Sequence, residues 1–312
     1  MPAASDLIDP GDLEALVRVV DAGGVTRAAE ALYVSQPAVT QRLRRLERAL
    51  GTRLLERSGR GLVLTDEGRA VMPLARAALE ALDRIPAAVA EVQGLLRGEI
   101  VLGASTTVGE FILPKRLSAF GQAYPSLTVR LQIANTDEIV ERVLDRSLHL
   151  GFVGLRPPST SLVALPFVRD EIVLAAAAAH PLAGRRVSPG QLSRARLLVR
   201  EDGSATRAMA LACLARCRVG TERTVGFGSN AALRTAVLAG YGVAALSREV
   251  VADDLARGRV RLVRVRGWRC LRRFYIVYRR DRRLSGGEEA LLEFVRRAAP
   301  RAGGAGNRAS RP

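Results

Sequence analysis

The chain is poor in the residue types on which metal sites, disulfide scaffolds and most active sites depend. Its 312 residues include two histidines and three cysteines, and aromatic side chains make up 4 %. Cys213, Cys217 and Cys270 are too few and too unevenly spaced for a disulfide framework or a zinc site. Cys213 and Cys217 can share a helix face, either as a buried structural pair or as a redox switch. His149 lies in an apolar strand context and His180 precedes a proline, so neither has metal-ligand spacing. Neither a nucleophile elbow nor a phosphate-binding lysine loop occurs. An enzyme is hard to build from such a chain, and no catalytic residue, metal or cofactor is expected. The longest apolar run, Ile172 to Ala179, stops at His180-Pro181, far short of a bilayer span. The opening MPAASDLIDP holds acids and lacks the basic start and apolar core of a secretion signal, which predicts a cytoplasmic protein with no membrane partner. Lysine is nearly missing too: Lys115 is the only one among 48 basic residues.

Arginine is what the chain has in excess. Set against 31 acids, the basic residues leave a formal charge of +17 and a pI near 11.3. That balance fits a polyanionic partner. G+C-rich coding also raises arginine, so the excess supports this reading without carrying it. With 48 % hydrophobic residues and a mean hydropathy of +0.09, the chain is globular and long enough for two or more domains.

The most informative stretch is Thr26 to Leu50, TRAAEALYVSQPAVTQRLRRLERAL, which reads as two helices and a tight corner. Thr26 is placed to cap the first helix, and Ala28, Ala29 and Ala31 let a second approach closely. Tyr33 and Val34 make the corner. Ser35 N-caps the next helix, and Pro37 falls in its first turn, where no helical N–H is lost. Val39, Leu43, Leu46 and Leu50 recur as a buried stripe, leaving Gln36, Pro37, Thr40, Gln41, Arg44 and Arg48 on the opposite face. Short polar groups at a helix start, with arginines further down, suit a helix that meets base edges in a major groove while its cations reach phosphates. The alternative is an ordinary amphipathic pair with a solvated basic face. Seven arginines against two acids between Gln36 and Arg60, together with the short corner, favour the DNA-reading helix-turn-helix. Asp9-Pro10 starts a preceding helix, and Gly51 stops the reading helix. The following RLLERSGRGLVLT then reads as two short strands around Ser58-Gly59-Arg60-Gly61. This hairpin is a wing, with Arg53, Arg57 and Arg60 set for phosphates or a narrow minor groove. The winged head covers residues 8–65.

Residues 66–97 predict a long linker helix capped by Thr65. Val71, Ala78, Ile85 and Val92 hold one heptad position, and Ala75, Leu82, Val89 and Leu96 the other. So regular a seam calls for a partner helix, most simply that of a second subunit. Pro73 lies inside this helix, and Pro86 predicts a kink or break near Arg84. Past Gly98 strands and helices alternate through EIVLGAS, LTVRLQIA, HLGFVG, EIVLAAAA, RLLVRE, TVGF, GVAALS and FYIVYRR. An α/β domain over residues 98–299, mostly parallel and divided into two lobes, follows. The tail, 300–312, is expected to be disordered. The fold class is thus α + α/β.

Four strand-to-helix junctions carry hydroxyl or amide groups: Ser105-Thr106-Thr107, Asn135-Thr136, Ser204 with Thr206 and Arg207, and Ser229-Asn230. Singly, each is a plain N-cap. Repeated along the carboxyl edge of one sheet, beside Arg207, they predict a pocket for a small anionic effector. Glu288-Glu289 reads as a solvated helix start. From Arg257 to Arg283 there are twelve arginines and one acid, Asp281. That stretch is either a second DNA contact or a solvated strand face, the latter being simpler because FYIVY would bury its apolar residues.

Taken together, Thr26-Arg27-Ala28-Ala29 with Leu32, Val34-Ser35-Gln36-Pro37-Ala38-Val39, Leu46-Glu47, Gly51, Leu54, Arg57 and Leu64-Thr65-x-x-Gly68 resemble the LysR-type transcriptional regulators. The resemblance implies a winged helix-turn-helix, a linker helix and a two-lobed effector domain like a type 2 periplasmic binding protein. Lobe I would cover 99–163 and 270–298, and lobe II 164–269. It also implies a homodimer through the linker helix, a homotetramer, binding to interrupted palindromes in promoter DNA, and contact with RNA polymerase. Gln36, Pro37, Thr40 and Gln41 would then read bases, and Arg57 would contact the backbone. Thr40 and Gln41 stand where serine and arginine are common in the family, which implies an altered half-site. In the effector half, GASTTVGEFILP, NTDEIVERVLD, GFVG, REDGSATRAM and GSNAALRTAV resemble regulators of sulfur assimilation and carbon fixation. The competing readings are an architectural DNA-binding protein with no effector and a solute-binding module with an incidental basic head.

Overall fold

The computed structural model describes residues 8–58, 61–92 and 96–297. The wing tip with Arg60, and the tail from Pro300, lie outside the described residues. The chain divides into a head that includes the linker helix and an α/β unit that starts at Leu96.

The head is built as its caps dictate. Helix α1 (Pro10–Asp21) begins where the Asp9 carboxylate accepts the Gly11 N–H at 2.7 Å. Helix α2 (Val25–Ala31) follows, and α3 (Gln36–Leu50) ends at Gly51 in the left-handed region, φ 68°. Strands β1 (Leu55–Ser58) and β2 (Gly61–Leu64) pair antiparallel as the wing. Ala15, Leu16, Val39, Leu46 and Leu54 make the core, and Arg45 clamps the buried Asp12 with bonds of 2.5 and 2.6 Å, tying α3 to α1.

Helix α4 runs from Asp66 to Val92 through both prolines. The break expected near Arg84 does not occur. Pro73 and Pro86 both lie on the exposed side, where a carbonyl deprived of its helical partner can bond to water instead. The heptad keeps its register at Leu82, Ile85 and Val89 but loses its first turns. Met72 and Ala75 are buried in the head core with Val71 and Leu79 packed beside them, so the first turns are used within the chain. The apolar row left exposed is Leu74, Leu82, Ile85 and Val89, at 70 %, 42 %, 57 % and 52 %.

The α/β unit has a strand order β4-β3-β5-β13-β6-β10-β8-β9, with β11 also paired to β6. Here β3 is Gly98–Ser105, β4 Leu127–Ala134, β5 Leu150–Val153, β6 Leu162–Ala177, β7 Arg186–Val187, β8 Leu197–Arg200, β9 Thr224–Phe227, β10 Val243–Ser247, β11 Val260–Leu262, β12 Arg264–Val265 and β13 Leu271–Arg279. Strand β3 is parallel to β4 and β5, and β8 is parallel to β9 and β10, so each lobe has its own parallel core. The two long strands β6 and β13 run antiparallel and join the lobes. Along β6, Ile172, Leu174 and Ala176 enter one lobe II core, while Val173 and Ala175 enter the other. A strand covered on both faces reads as the unbroken apolar run seen in the sequence.

The lobe boundary lies later than the expected 163/164. Strand β6 stays paired with β13 through Glu171, and Phe167 packs in the lobe I core, so lobe II begins near Ile172. The return is at Leu271, since Cys270 belongs to the lobe II core. The half of β6 before Glu171 went unread because Pro166 and charged residues interrupt its pattern.

Candidate DNA-reading face and effector cleft

In the head, Ser35 caps α3 by accepting the Ala38 N–H at 3.4 Å. Gln36, Pro37, Thr40, Gln41, Arg44 and Arg53 line one concave face, joined by Arg48 and Thr52. Arg57 is exposed on β1, opposite Leu62. Thr26 does not cap α2. Gly24 holds the N-cap position, and the Thr26 hydroxyl, inside the helix, accepts a hydrogen bond from Gln36 Nε2 at 2.8 Å. Its effect is to aim the Gln36 amide. The Thr40 hydroxyl donates to the Gln36 carbonyl at 3.0 Å, so it must rotate to meet another acceptor.

The wing is held by backbone capture. Glu47 Oε1 accepts the Leu54 N–H at 2.8 Å, and the Thr65 hydroxyl accepts the Gly68 N–H at 3.0 Å. A Cβ on Gly68 would lie 2.1 Å from the Leu54 carbonyl oxygen. That explains the Leu64-Thr65-x-x-Gly68 spacing physically: α4 must pass against the backbone at Leu54, just ahead of β1, and only glycine leaves room.

In the α/β unit Thr106 and Asn230 meet at one buried arginine and Thr206 at a second, two residues that sequence reasoning passed over. Arg200 is fully buried at the end of β8. Its Nη1 donates to Thr106 Oγ1 and to Asn230 Oδ1, each at 2.8 Å, and Glu201 takes Nε and Nη2 at 2.7 Å. The Asn230 amide donates in turn to Glu110 Oε2 at 3.1 Å. Arg272 bonds Asp170 at 2.7 Å and Thr206 at 2.8 Å, and Ser247 donates to Asp170 at 2.7 Å. Burial holds the Arg272 guanidinium below its ordinary range, and the neighbouring Asp170 offsets only part of that. Glu110 lies in a π-helical turn, Val108–Ile112, ahead of helix α5 (Leu113–Ala123). Such turns recur at functional sites.

The other junctions form a second cluster. Asn135 caps helix α6 (Thr136–Leu144), accepting the Glu138 N–H at 2.9 Å, and the Asp137 N–H reaches the Gly203 carbonyl at 3.3 Å. Helix α8 (Ala205–Arg216; α7 is Pro189–Arg194) starts there, with Ser204 and Thr206 buried. Ser105 and Thr107 are buried, as is Thr136. Ser229 is a plain cap of helix α9 (Asn230–Leu238), bonded to the Ala232 N–H at 3.1 Å. Arg207 is not a free cation: Nε pairs with Asp202 at 2.9 Å and Nη1 donates to the Arg200 carbonyl at 3.0 Å. A pocket of about 330 Å³ opens beside it, between Thr136, Arg156, Gly203 and Leu211.

Residues 10–69 match the family described as bacterial regulatory helix-turn-helix protein, lysR family, and residues 93–300 match the LysR substrate binding domain. The chain belongs to the LysR family. The HTH-type transcriptional activator CmpR of a Synechocystis species is 30 % identical over 90 % of this chain and 93 % of its own length. A RuBisCO operon transcriptional regulator of Allochromatium vinosum is 34 % identical over 88 % of this chain and 91 % of that protein. Its name falls in the carbon-fixation subgroup that the effector-half motifs resemble. Full-length CbnR complexed with its target DNA superposes with a TM-score of 0.64 at 25 % identity, covering 94 % of this chain and 100 % of that one. This LysR-family chain is therefore an effector-controlled, DNA-binding transcriptional regulator and not an enzyme. Among the described residues no helix is long and apolar enough to cross a membrane.

Two further expectations are corrected. Glu288 is not solvated: it is buried at the start of helix α11 (Gly286–Arg297; α10 is Ala252–Ala256), where Arg282 binds both its oxygens at 2.7 and 3.0 Å. His149 Nδ1 lies 3.4 Å from the same carboxylate. Burial alone would raise the Glu288 pKa, but the bonds from His149, Arg282 and the Ser285 backbone hold it down at about 2. The basic stretch is not uniformly a solvated face, since Arg272 and Arg282 point inward from it. The three cysteines are free and buried. Burial raises the thiols of Cys217 and Cys270, which favours the structural reading over a redox switch.

Proposed function

We propose that this regulator reads an interrupted palindrome in promoter DNA with two copies of α3, and that a small anionic metabolite seated between the lobes of the α/β unit controls it. The observation that carries the DNA reading is the single exposed face holding Gln36, Pro37, Thr40, Gln41, Arg44 and Arg53. Gln36, aimed by Thr26, and Thr40 and Gln41 read base edges; Arg44, Arg53, Arg57 and Arg60 reach phosphates. The exposed row Leu74, Leu82, Ile85 and Val89 supports pairing of two chains along α4, and a tetramer built from such dimers. Location in the cytoplasm and contact with RNA polymerase belong to the same reading.

For the effector, the support is the convergence of Thr106, Asn230, Thr206, Thr136 and Ser204 on the lobe junction, where helix N-termini favour an anion. Because Arg200 and Arg207 are already paired with carboxylates, an anion must compete with Glu201 or Asp202. The DNA test is a footprint and a salt series with Gln36→Ala/Thr40→Ala. Specific affinity drops by about 10-fold or more while the salt slope stays unchanged. An unchanged ratio of specific to random binding overturns the assignment. The effector test is a thermal-shift series with sulfite, sulfate, thiosulfate, phosphate and sugar phosphates, and no response to any of them removes the anion proposal.

A further inference from the structure

The basic stretch contains a feature that neither DNA reading nor the cleft uses. Strands β7 and β12 form a two-stranded parallel ribbon in which Arg186 stands directly beside Arg264 and Val187 beside Val265. The valines are buried and the arginines exposed, so two guanidiniums share one face, with Arg266 two residues further along it. All three line a groove of about 790 Å³ whose other walls include Trp268, Leu262 and Val173. Trp268 is fixed by a 3.0 Å bond from Nε1 to the Ile172 carbonyl. The remaining charges in the groove, Arg248 and Glu171, neutralise each other at 2.8 Å. Among the described residues no carboxylate pairs with Arg186, Arg264 or Arg266. Like charges set side by side on a sheet repel. Three unpaired guanidiniums around a concavity of ligand size, with an aromatic wall, match what adjacent phosphates need: planar, permanently charged, bidentate donors.

We propose that this groove binds a small ligand carrying two or more adjacent phosphates, held by Arg186, Arg264 and Arg266 with Trp268 as its wall. A duplex fits less well, because a convex rod touching the arginine rim leaves the Trp268 wall empty. The assignment is independent of the effector cleft and of the DNA-reading face.

Trp268 is the only tryptophan in the chain, so its emission reports this groove directly. The full-length protein is titrated with inorganic tripolyphosphate at constant ionic strength, with orthophosphate and a short random duplex as parallel probes. A saturable change with tripolyphosphate is expected, with affinity reduced by about 10-fold or more in Arg186→Ser/Arg264→Ser. Arg266→Ser gives the same direction and replaces the double variant if that one fails to fold. The urea midpoint of each variant is expected to be unchanged or higher without the ligand, since repulsion is relieved. No saturable change, an unchanged affinity in the variants, or equal affinity for orthophosphate overturns the proposal. A response to the duplex but not to tripolyphosphate also overturns it, in favour of a nucleic-acid contact.

Discussion

Replacing Arg200 with methionine tests how much this buried guanidinium contributes to latching the two lobes, beside the Asn230–Glu110 and Arg272–Thr206 bonds. The side chain is 0 % exposed and donates to Thr106 in lobe I, Asn230 in lobe II and Glu201 beside it. Bonds from a charged donor contribute about 1.5–3 kcal/mol each. Glu201 is 27 % exposed and can turn to water, so its share is small. Asn230 keeps its bond to Glu110, while the Thr106 hydroxyl is left without its donor. Methionine restores part of the packing. A net loss of about 3 kcal/mol is expected, the low end of what breaking a buried charged pair costs. Urea unfolding followed by Trp268 emission reads the α/β unit without signal from the head, which has no tryptophan. Thr106→Ala is expected to cost about 1 kcal/mol in the wild-type background and close to nothing with Arg200→Met, because its partner is gone. A loss below about 1 kcal/mol for Arg200→Met, or full additivity of the two changes, refutes the latch.

Three more outcomes are expected. The folded Glu288 pKa of about 2 lies below the 4.5 of an unperturbed glutamate, so its stabilisation is complete above pH 4.5 and lost as pH falls towards 2. Glu288→Gln therefore costs about 3 kcal/mol at pH 7, and the gap to wild type narrows in urea curves recorded below pH 4; a gap that stays constant with pH contradicts the assignment. Gly68→Ala puts a Cβ 2.1 Å from the Leu54 oxygen, a backbone clash that no rotamer relieves. It destabilises the head by about 3 kcal/mol and weakens DNA binding while leaving the Trp268 transition in place; full DNA affinity speaks against the close passage of α4. Cys213, Cys217 and Cys270 resist a thiol reagent until the α/β unit unfolds, and rapid labelling of native protein revives the redox reading.

Local chemistry alone determined much of this regulator. Ser35, Pro37 and Gly51 bound α3 whatever surrounds it, since caps and proline act through the adjacent backbone, and the apolar spacing then leaves Gln36, Thr40 and Arg44 outward. Two of the four junctions were legible for the same reason, since Asn135 and Ser229 satisfy the nearest free N–H groups, whereas Thr106 and Thr206 turn to buried arginines instead. Tertiary structure decided what depends on residues far apart in the chain. Arg200 and Arg272 read as two among many arginines, and only the meeting of β8 with Thr106, and of β13 with Asp170, makes them buried hubs. Glu288 looked solvated until Arg282 folded over it, and Thr26 looked like a cap until Gln36 arrived. The heptad on α4 lost its first turns to the head core, because periodicity specifies a face and not its partner. Charge pairing is a property of distance in space, and a one-dimensional chain does not carry that distance until it is folded.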